Sequence, residues 1–322
     1  MSEPLGAKWS AHWASYALQA ATMIFVIYTL ARNWNVVEDQ GLLNVEKLPA
    51  FLGAVLLLVV VVFFVILAYW HSLSSSVEDE VPTLKTVVRI YGRTILAKYI
   101  PGNVFHYLGR QVVGRELGLS QVSLAAATML EVLLLISATS LVTGLSINFS
   151  QAPLPSSASL ETELSILALG VLLPLLAIAF IRSISRSLFA RFGLPNRLEL
   201  DHWQVFKAFS FYLIYVAGNN LVLIYLHIAF VGAIPVQLGL AYFAAFSISF
   251  LAGYLTPGVP GGLGVREALF ALLLSSSSAG SVAAFVAVVH RLAVLGTEML
   301  YAYAIAPRLS RSKPKPVGAM DS

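Results

Sequence analysis

Of the 322 residues, 58% are hydrophobic and only 11% are charged, with a formal net charge of +4. A water-soluble domain carries about 25% charged residues, so this composition excludes a solvated globular surface. The basic residues lie in short loops between apolar runs, which argues for a membrane and against a nucleic-acid partner. The chain has no cysteine, which excludes disulfides, thiolate metal sites and cysteine nucleophiles.

In chain order, six full spans are predicted at about 11–31, 50–70, 121–146, 163–181, 205–231 and 282–306, each near the roughly 20 apolar residues a crossing needs. The clearest is Pro49 to Trp70, which carries no charge. The first run is too long for a signal-peptide core and is read as a retained span. Two further apolar regions are broken by proline and glycine, at Pro101-Gly102 and at Pro257-Gly258-Val259-Pro260-Gly261-Gly262. No soluble domain is expected: 1–322 reads as a single integral membrane domain, with 311–322 a basic, disordered tail.

Lysine and arginine set the expected orientation. No basic residue occurs between Arg115 and Arg182, whereas Lys85 to Arg115, Arg182 to Lys207 and the tail are all basic. Placing the basic stretches in the cytoplasm puts both termini on the cytoplasmic side of a cell membrane. Six spans then alternate correctly only if each broken region enters and leaves on one side, the first from the cytoplasm and the second from outside.

The two broken regions also match each other. Ala97/Ala252, Tyr99/Tyr254, Leu108/Leu263 and Gly109/Gly264 are each 155 residues apart, and Pro101/Pro257, Gly102/Gly258 and Arg110/Arg266 are 156 apart. Repeats of about 1–155 and 156–310, each crossing three times, must be inverted with respect to one another. Inverted repeats with broken helices at corresponding places point to a secondary-transporter fold. The fold class is therefore all-α: a polytopic transmembrane helical bundle of six spans plus two re-entrant Pro-Gly hairpins.

Proline removes an amide donor and glycine favours no helix, so each break frees backbone polar groups that lipid cannot satisfy. Such backbone persists at depth only within protein or beside a wet cavity. Half-helices restarting near Leu108 and Leu263 would direct partial positive charge at that cavity. With Arg110 and Arg266 in their first turns, an anion site is expected; the arginines snorkelling to lipid headgroups is the alternative. The run Gly261-Gly262-Leu263-Gly264 lacks the lysine and strand context of a nucleotide-binding loop.

Glu131, His290, Arg291 and Glu298 lie inside apolar runs, where an ionisable group costs roughly 2.5–3.5 kcal/mol and usually faces a partner or water. Glu131 and Arg291 occupy matching depths in the two repeats, so an ion pair between them is expected. Arg291 and Glu298 are seven apart and share a helical face. Asn219 and Asn220 suit interhelical hydrogen bonds or a cavity lining. His106, Tyr107, Tyr99 and Tyr254 flank the breaks, within reach of a headgroup. There is no metal-ligand spacing and no catalytic constellation, so no enzyme activity, metal or cofactor is expected.

The stretch Pro260 to Ala268, PGGLGVREA, resembles the signature of the flippase-like family typified by the transmembrane region of lysylphosphatidylglycerol synthases. The segment from Pro101 to Arg110 resembles that family's first Pro-Gly motif, and Arg291 stands where members commonly carry a late arginine. The likeness spans essentially the whole chain. It departs at Val132 and Leu135, where the family often has arginine and a later aspartate after Glu131, and at Phe105-His106-Tyr107, where a Gly-Glu pattern is common.

The resemblance implies two re-entrant hairpins and translocation of a lipid between leaflets, with no aminoacyltransferase domain to make an aminoacyl lipid. The expected function is that of a flippase or scramblase for a phospholipid or polyprenyl-linked lipid with an anionic or aminoacylated headgroup. Arg110, Arg266, Arg291, His106 and Tyr107 would contact the headgroup, while Glu131, His290, Glu267 and Glu298 would balance charge or carry a coupling proton. Pro101, Gly102, Pro257, Gly258, Pro260, Gly261, Gly262 and Gly264 would break the helices. A secondary transporter of a small anion, or an accessory subunit of a lipid- or glycan-modifying synthase or glycosyltransferase, are the alternatives. A homo-oligomer is compatible with any of them.

Overall fold

The computed structural model describes residues 44–76, 81–100, 104–150, 200–275 and 280–307, with four isolated positions between 151 and 199. The span expected at 11–31, nearly all of that at 163–181, Pro101, Gly102 and the tail 311–322 lie outside these residues.

The described elements are helical. Helix α1 (Leu48–Ser74) is followed by α2 (Leu84–Thr94), a 3-10 turn at Ile95–Tyr99, α3 (Phe105–Glu116) and α4 (Gln121–Ser150). Then come α5 (His202–Phe230), α6 (Val236–Leu255), a 3-10 turn at Pro260–Gly262, α7 (Val265–Leu273) and α8 (Gly280–Met299), which continues as a π-helical turn over Leu300–Ile305. The order long helix, second helix, tight turn, short helix, long helix therefore occurs twice. The starts of α1 and α5, Leu48 and His202, lie 154 residues apart, and those of α4 and α8, Gln121 and Gly280, lie 159 apart.

Among the described residues, five helical stretches are long and apolar enough to cross a membrane: Val45–Ser74, Gln121–Ile147, His202–Phe230, Val236–Leu255 and Val282–Ile305. This is a multi-pass helical membrane architecture. Four of the five coincide with expected spans. The fifth, α6, was expected as one limb of a re-entrant hairpin. Its 20 residues extend about 30 Å at 1.5 Å per residue, the full hydrocarbon thickness. The reason is the position of the break: Pro257 falls after Leu255, which leaves the whole apolar run from Val236 uninterrupted.

Packing is organised around α1 lying along α5, and α4 along α6. One apolar cluster joins the C-terminal half of α1 to α2, α4 and the N-terminal half of α5 through Ile66, Tyr69, Leu73, Leu124, Leu130 and Tyr212. A second joins the N-terminal half of α1 to the C-terminal half of α5 and to α6, α7 and α8 through Leu58, Leu223, Tyr242, Phe270 and Val286. Small residues permit the closest approaches. A Cβ on Gly218 would lie 2.8 Å from the Val61 side chain, and one on Gly92 would lie 2.6 Å from Ala306.

The serine- and threonine-rich character of α4 is compatible with burial because the hydroxyls bond backward along the helix. Thr139, Thr143 and Ser146 donate to the carbonyls of Leu135, Thr139 and Val142 at 2.7–2.8 Å. Between helices, Tyr301 Oη donates to the Val59 carbonyl at 2.7 Å and Thr297 Oγ1 to that of Val55 at 3.1 Å, tying α8 and its π-turn to α1. Such bonds average about 0.6 kcal/mol in membrane proteins, so they orient α8 more than they stabilise the bundle.

Candidate functional site

The second break follows from its glycines. Gly258, Gly261, Gly262 and Gly264 have φ of 82°, 57°, 70° and 81°, a region that side-chain-bearing residues rarely occupy. The chain thereby doubles back on itself between α6 and α7, and helix resumes only at Val265, two residues later than expected, because Gly264 is held left-handed. Gly262 sits against Gly253 of α6, and the stem of Arg266 fills the space both glycines leave open. A Cβ on Gly262 would lie 2.7 Å from Arg266 Nε and 2.9 Å from the Gly253 carbonyl oxygen, and one on Gly253 would lie 2.4 Å from Arg266 Cγ.

The two broken segments meet at Tyr99 and Gly261. A Cβ on Gly261 would stand 3.1 Å from the Tyr99 ring and 2.9 Å from Arg291 Nη2. Tyr99 closes the 3-10 turn of the first broken segment, and its hydroxyl donates to Glu298 of α8 at 2.9 Å. Lys98 forms an ion pair with the same carboxylate. Two helical turns further back on the same face, Arg291 donates from Nη2 to the Gly261 carbonyl at 2.7 Å, and its Nε lies 3.8 Å from Glu267. Helix α8 thus grips the first break through Glu298 and the second through Arg291, using the shared face that their seven-residue spacing gives. A further link joins the flanks of the breaks, where the hydroxyls of Tyr107 and Tyr254 are hydrogen-bonded to each other.

Behind this junction lies a cavity of about 30 Å³ lined by Lys98, Tyr215, Asn219, Phe250, Arg266, Glu267, His290, Arg291 and Glu298, among others. The Arg266 guanidinium stacks over Phe250 at 4.2 Å. Among the described residues it has no ion-pair partner, and its buried Nε donates no hydrogen bond. Glu267 is committed to the backbone: its carboxylate accepts from the Gly264 amide at 2.7 Å. The N-terminus of α7 therefore already holds a carboxylate, and the expected helix-end anion site is occupied by the protein itself.

Arg110 and Glu131 form a separate site. They pair with each other at 2% and 5% side-chain exposure, and the Arg110 guanidinium lies 4.7, 4.2 and 5.6 Å from the ring centres of Tyr69, Tyr91 and Tyr107. The expected pair of Glu131 with Arg291 is therefore corrected. Each half of the chain supplies its own partner, Arg110 to Glu131 and Glu267 to Arg291. Arg110 reaches Glu131 because α3 begins at Phe105, which puts it in the second helical turn rather than in the first turn expected for it.

Of the remaining expected residues, His106 is buried with its ring against Tyr107 at 3.8 Å and does not line the cavity. His290 does line it, with its ring edge-on to Phe246. Asn220 makes the interhelical bond, to Ser247 Oγ at 3.2 Å, while Asn219 faces the cavity. Lys98 was read from sequence only as an orienting cation, yet it lines the site. Its signal was its place directly before the break, in the turn Ile95–Tyr99. Among the described residues no group of three His, Cys, Asp or Glu side chains is arranged to hold a metal ion.

No protein-family model, curated protein or solved structure matches the chain. The functional reading accordingly rests on the geometry of the junction and on the sequence resemblance.

Proposed function

We propose that this protein moves a lipid with an anionic or aminoacylated headgroup between the leaflets of a cell membrane. The observation that carries the reading is the set of five charged side chains, Lys98, Arg266, Glu267, Arg291 and Glu298, gathered where two broken helical segments touch inside an apolar bundle. Burying that much charge is costly, and ionisable groups within a membrane bundle usually mark a substrate or ion pathway. Irregular backbone at the same place supports a polar route, because such backbone requires protein or water around it.

In this reading Arg266 and Arg291 attract the headgroup phosphate. Glu298 and Lys98 hold the first broken segment to α8 and part when the route opens, while the acyl chains stay in lipid. Arg110 and Glu131 serve as a packing pair rather than as headgroup ligands. The repeats are inverted, and the basic stretches and tail are cytoplasmic, as the lysine and arginine distribution favours. The resemblance of Pro260 to Ala268 to the flippase-like signature points the same way.

Reconstitution tests the proposal. In liposomes carrying fluorescent lipids of several headgroups, the protein is expected to expose inner-leaflet anionic or aminoacylated lipid to a membrane-impermeant quencher faster than protein-free vesicles do. Equal rates for every headgroup, with and without protein, would reject it.

A further inference from the structure

The charges around the cavity do not balance. Three cations, Lys98, Arg266 and Arg291, face two carboxylates, Glu267 and Glu298, so one positive charge is left over. The hydrogen bonds show which cation carries it. Lys98 is paired with Glu298, and Arg291 is shared between Glu267 and the Gly261 carbonyl. Arg266 stacks on the face of the Phe250 ring and makes no hydrogen bond or ion pair among the described residues, although its Nε, like that of Arg291, is buried. A cation in low-dielectric surroundings attracts a counter-charge strongly. The apolar side of the lining, Phe246, Phe250, Ala287 and Val294, offers no further protein anion.

Size restricts what the counter-charge can be. A cavity of about 30 Å³ has room for roughly two water-sized particles, since one needs at least 10–15 Å³ on this measure. A halide fits wholly within it, whereas a phosphate with its ester substituents would extend beyond it. Tyr215, Asn219 and His290 are the other polar side chains on the wall, and Arg266 and Arg291 supply further N–H donors.

We propose that this cavity is a binding site for a single small inorganic monoanion of the halide class, held chiefly by Arg266. The site goes beyond the lipid-translocation reading and holds whether or not the chain moves lipid. The same charge would also draw the phosphodiester of a lipid, so the test separates the two sources.

The measurement is thermal unfolding of the full chain in nanodiscs of zwitterionic phosphatidylcholine, with sodium gluconate replaced by sodium chloride or bromide at constant ionic strength. Halide is expected to raise Tm with a saturable dependence, because a ligand that binds only the folded state stabilises it by mass action. Arg266→Gln removes the surplus charge and is expected to weaken apparent halide affinity by about ten-fold or more, the scale of one lost charge-assisted hydrogen bond. Glu298→Gln raises the surplus and is expected to tighten halide binding, which keeps the proposal testable if the arginine variant does not fold. A Tm indifferent to halide, or halide affinity unchanged in both variants, overturns it. Stabilisation by added phosphatidylglycerol with none by halide also overturns it, by assigning the charge to lipid phosphate.

Discussion

Replacing Glu131 with leucine is expected to destabilise the protein by about 3–5 kcal/mol, the scale for removing one partner of a buried ion pair. The loss arises less from the missing attraction than from what stays behind: an Arg110 guanidinium at 2% exposure, with three tyrosine rings but no carboxylate around it. Removing both charges, as Arg110→Met with Glu131→Leu, is expected to restore most of that stability, because a buried pair exchanged for apolar residues of similar volume is often neutral or better. Thermal or denaturant unfolding of the two single variants and the double variant checks this as a cycle. Additive losses would mean that the two side chains do not act as a pair.

The second large effect is expected at Gly262. Alanine there must adopt φ of 70°, which costs of order 1–3 kcal/mol for a residue with a side chain. Its Cβ would also press on Arg266 Nε at 2.7 Å and on the Gly253 carbonyl oxygen at 2.9 Å, and overpacking adds typically 1–3 kcal/mol. Together, Gly262→Ala is expected to cost about 2–6 kcal/mol and to displace Arg266 from Phe250. Alanine at Gly118, which is also left-handed but has nothing within 4 Å, provides the comparison: it carries the backbone cost alone. Equal destabilisation at the two positions, measured by thermal unfolding, would show that the Gly253–Arg266 contact contributes nothing.

Much of the scaffold was legible because the membrane imposes a simple rule on it. A run of about 20 apolar residues has little choice but to be a helix, so α1, α4, α5 and α8 fall where their hydrophobicity puts them. The second break was legible too, since four left-handed glycines within seven residues leave no helix to continue. Helix α6 was harder. Reading the region from Val236 to Leu273 as one interrupted segment hid the fact that the interruption comes only after a full span-length run.

The site was legible as residue types but not as partners. Arg266, Arg291, Glu267, Glu298 and His290 were all singled out, and all five line one cavity. Pairing by equal depth nevertheless joined Glu131 to Arg291, because depth along the membrane normal says nothing about azimuth around each helix. The register of α3 decides the matter: starting at Phe105 turns Arg110 towards α4 and Glu131. Lys98 escaped notice because it lies in an otherwise basic stretch, where a lysine serves equally well as a topological marker.

The proposed function puts substrate passage at the junction of the two breaks and not at the Arg110–Glu131 pair. The most direct test compares headgroup-selective lipid transfer in liposomes for two folded variants, Arg291→Gln and the double variant Arg110→Met with Glu131→Leu. The account predicts a transfer rate at least ten-fold lower for Arg291→Gln, since a lost hydrogen bond to a charged group is worth about 1.5–3 kcal/mol, and a rate close to that of the unaltered protein for the double variant. Unimpaired transfer by Arg291→Gln, with transfer abolished in a stably folded double variant, would contradict it.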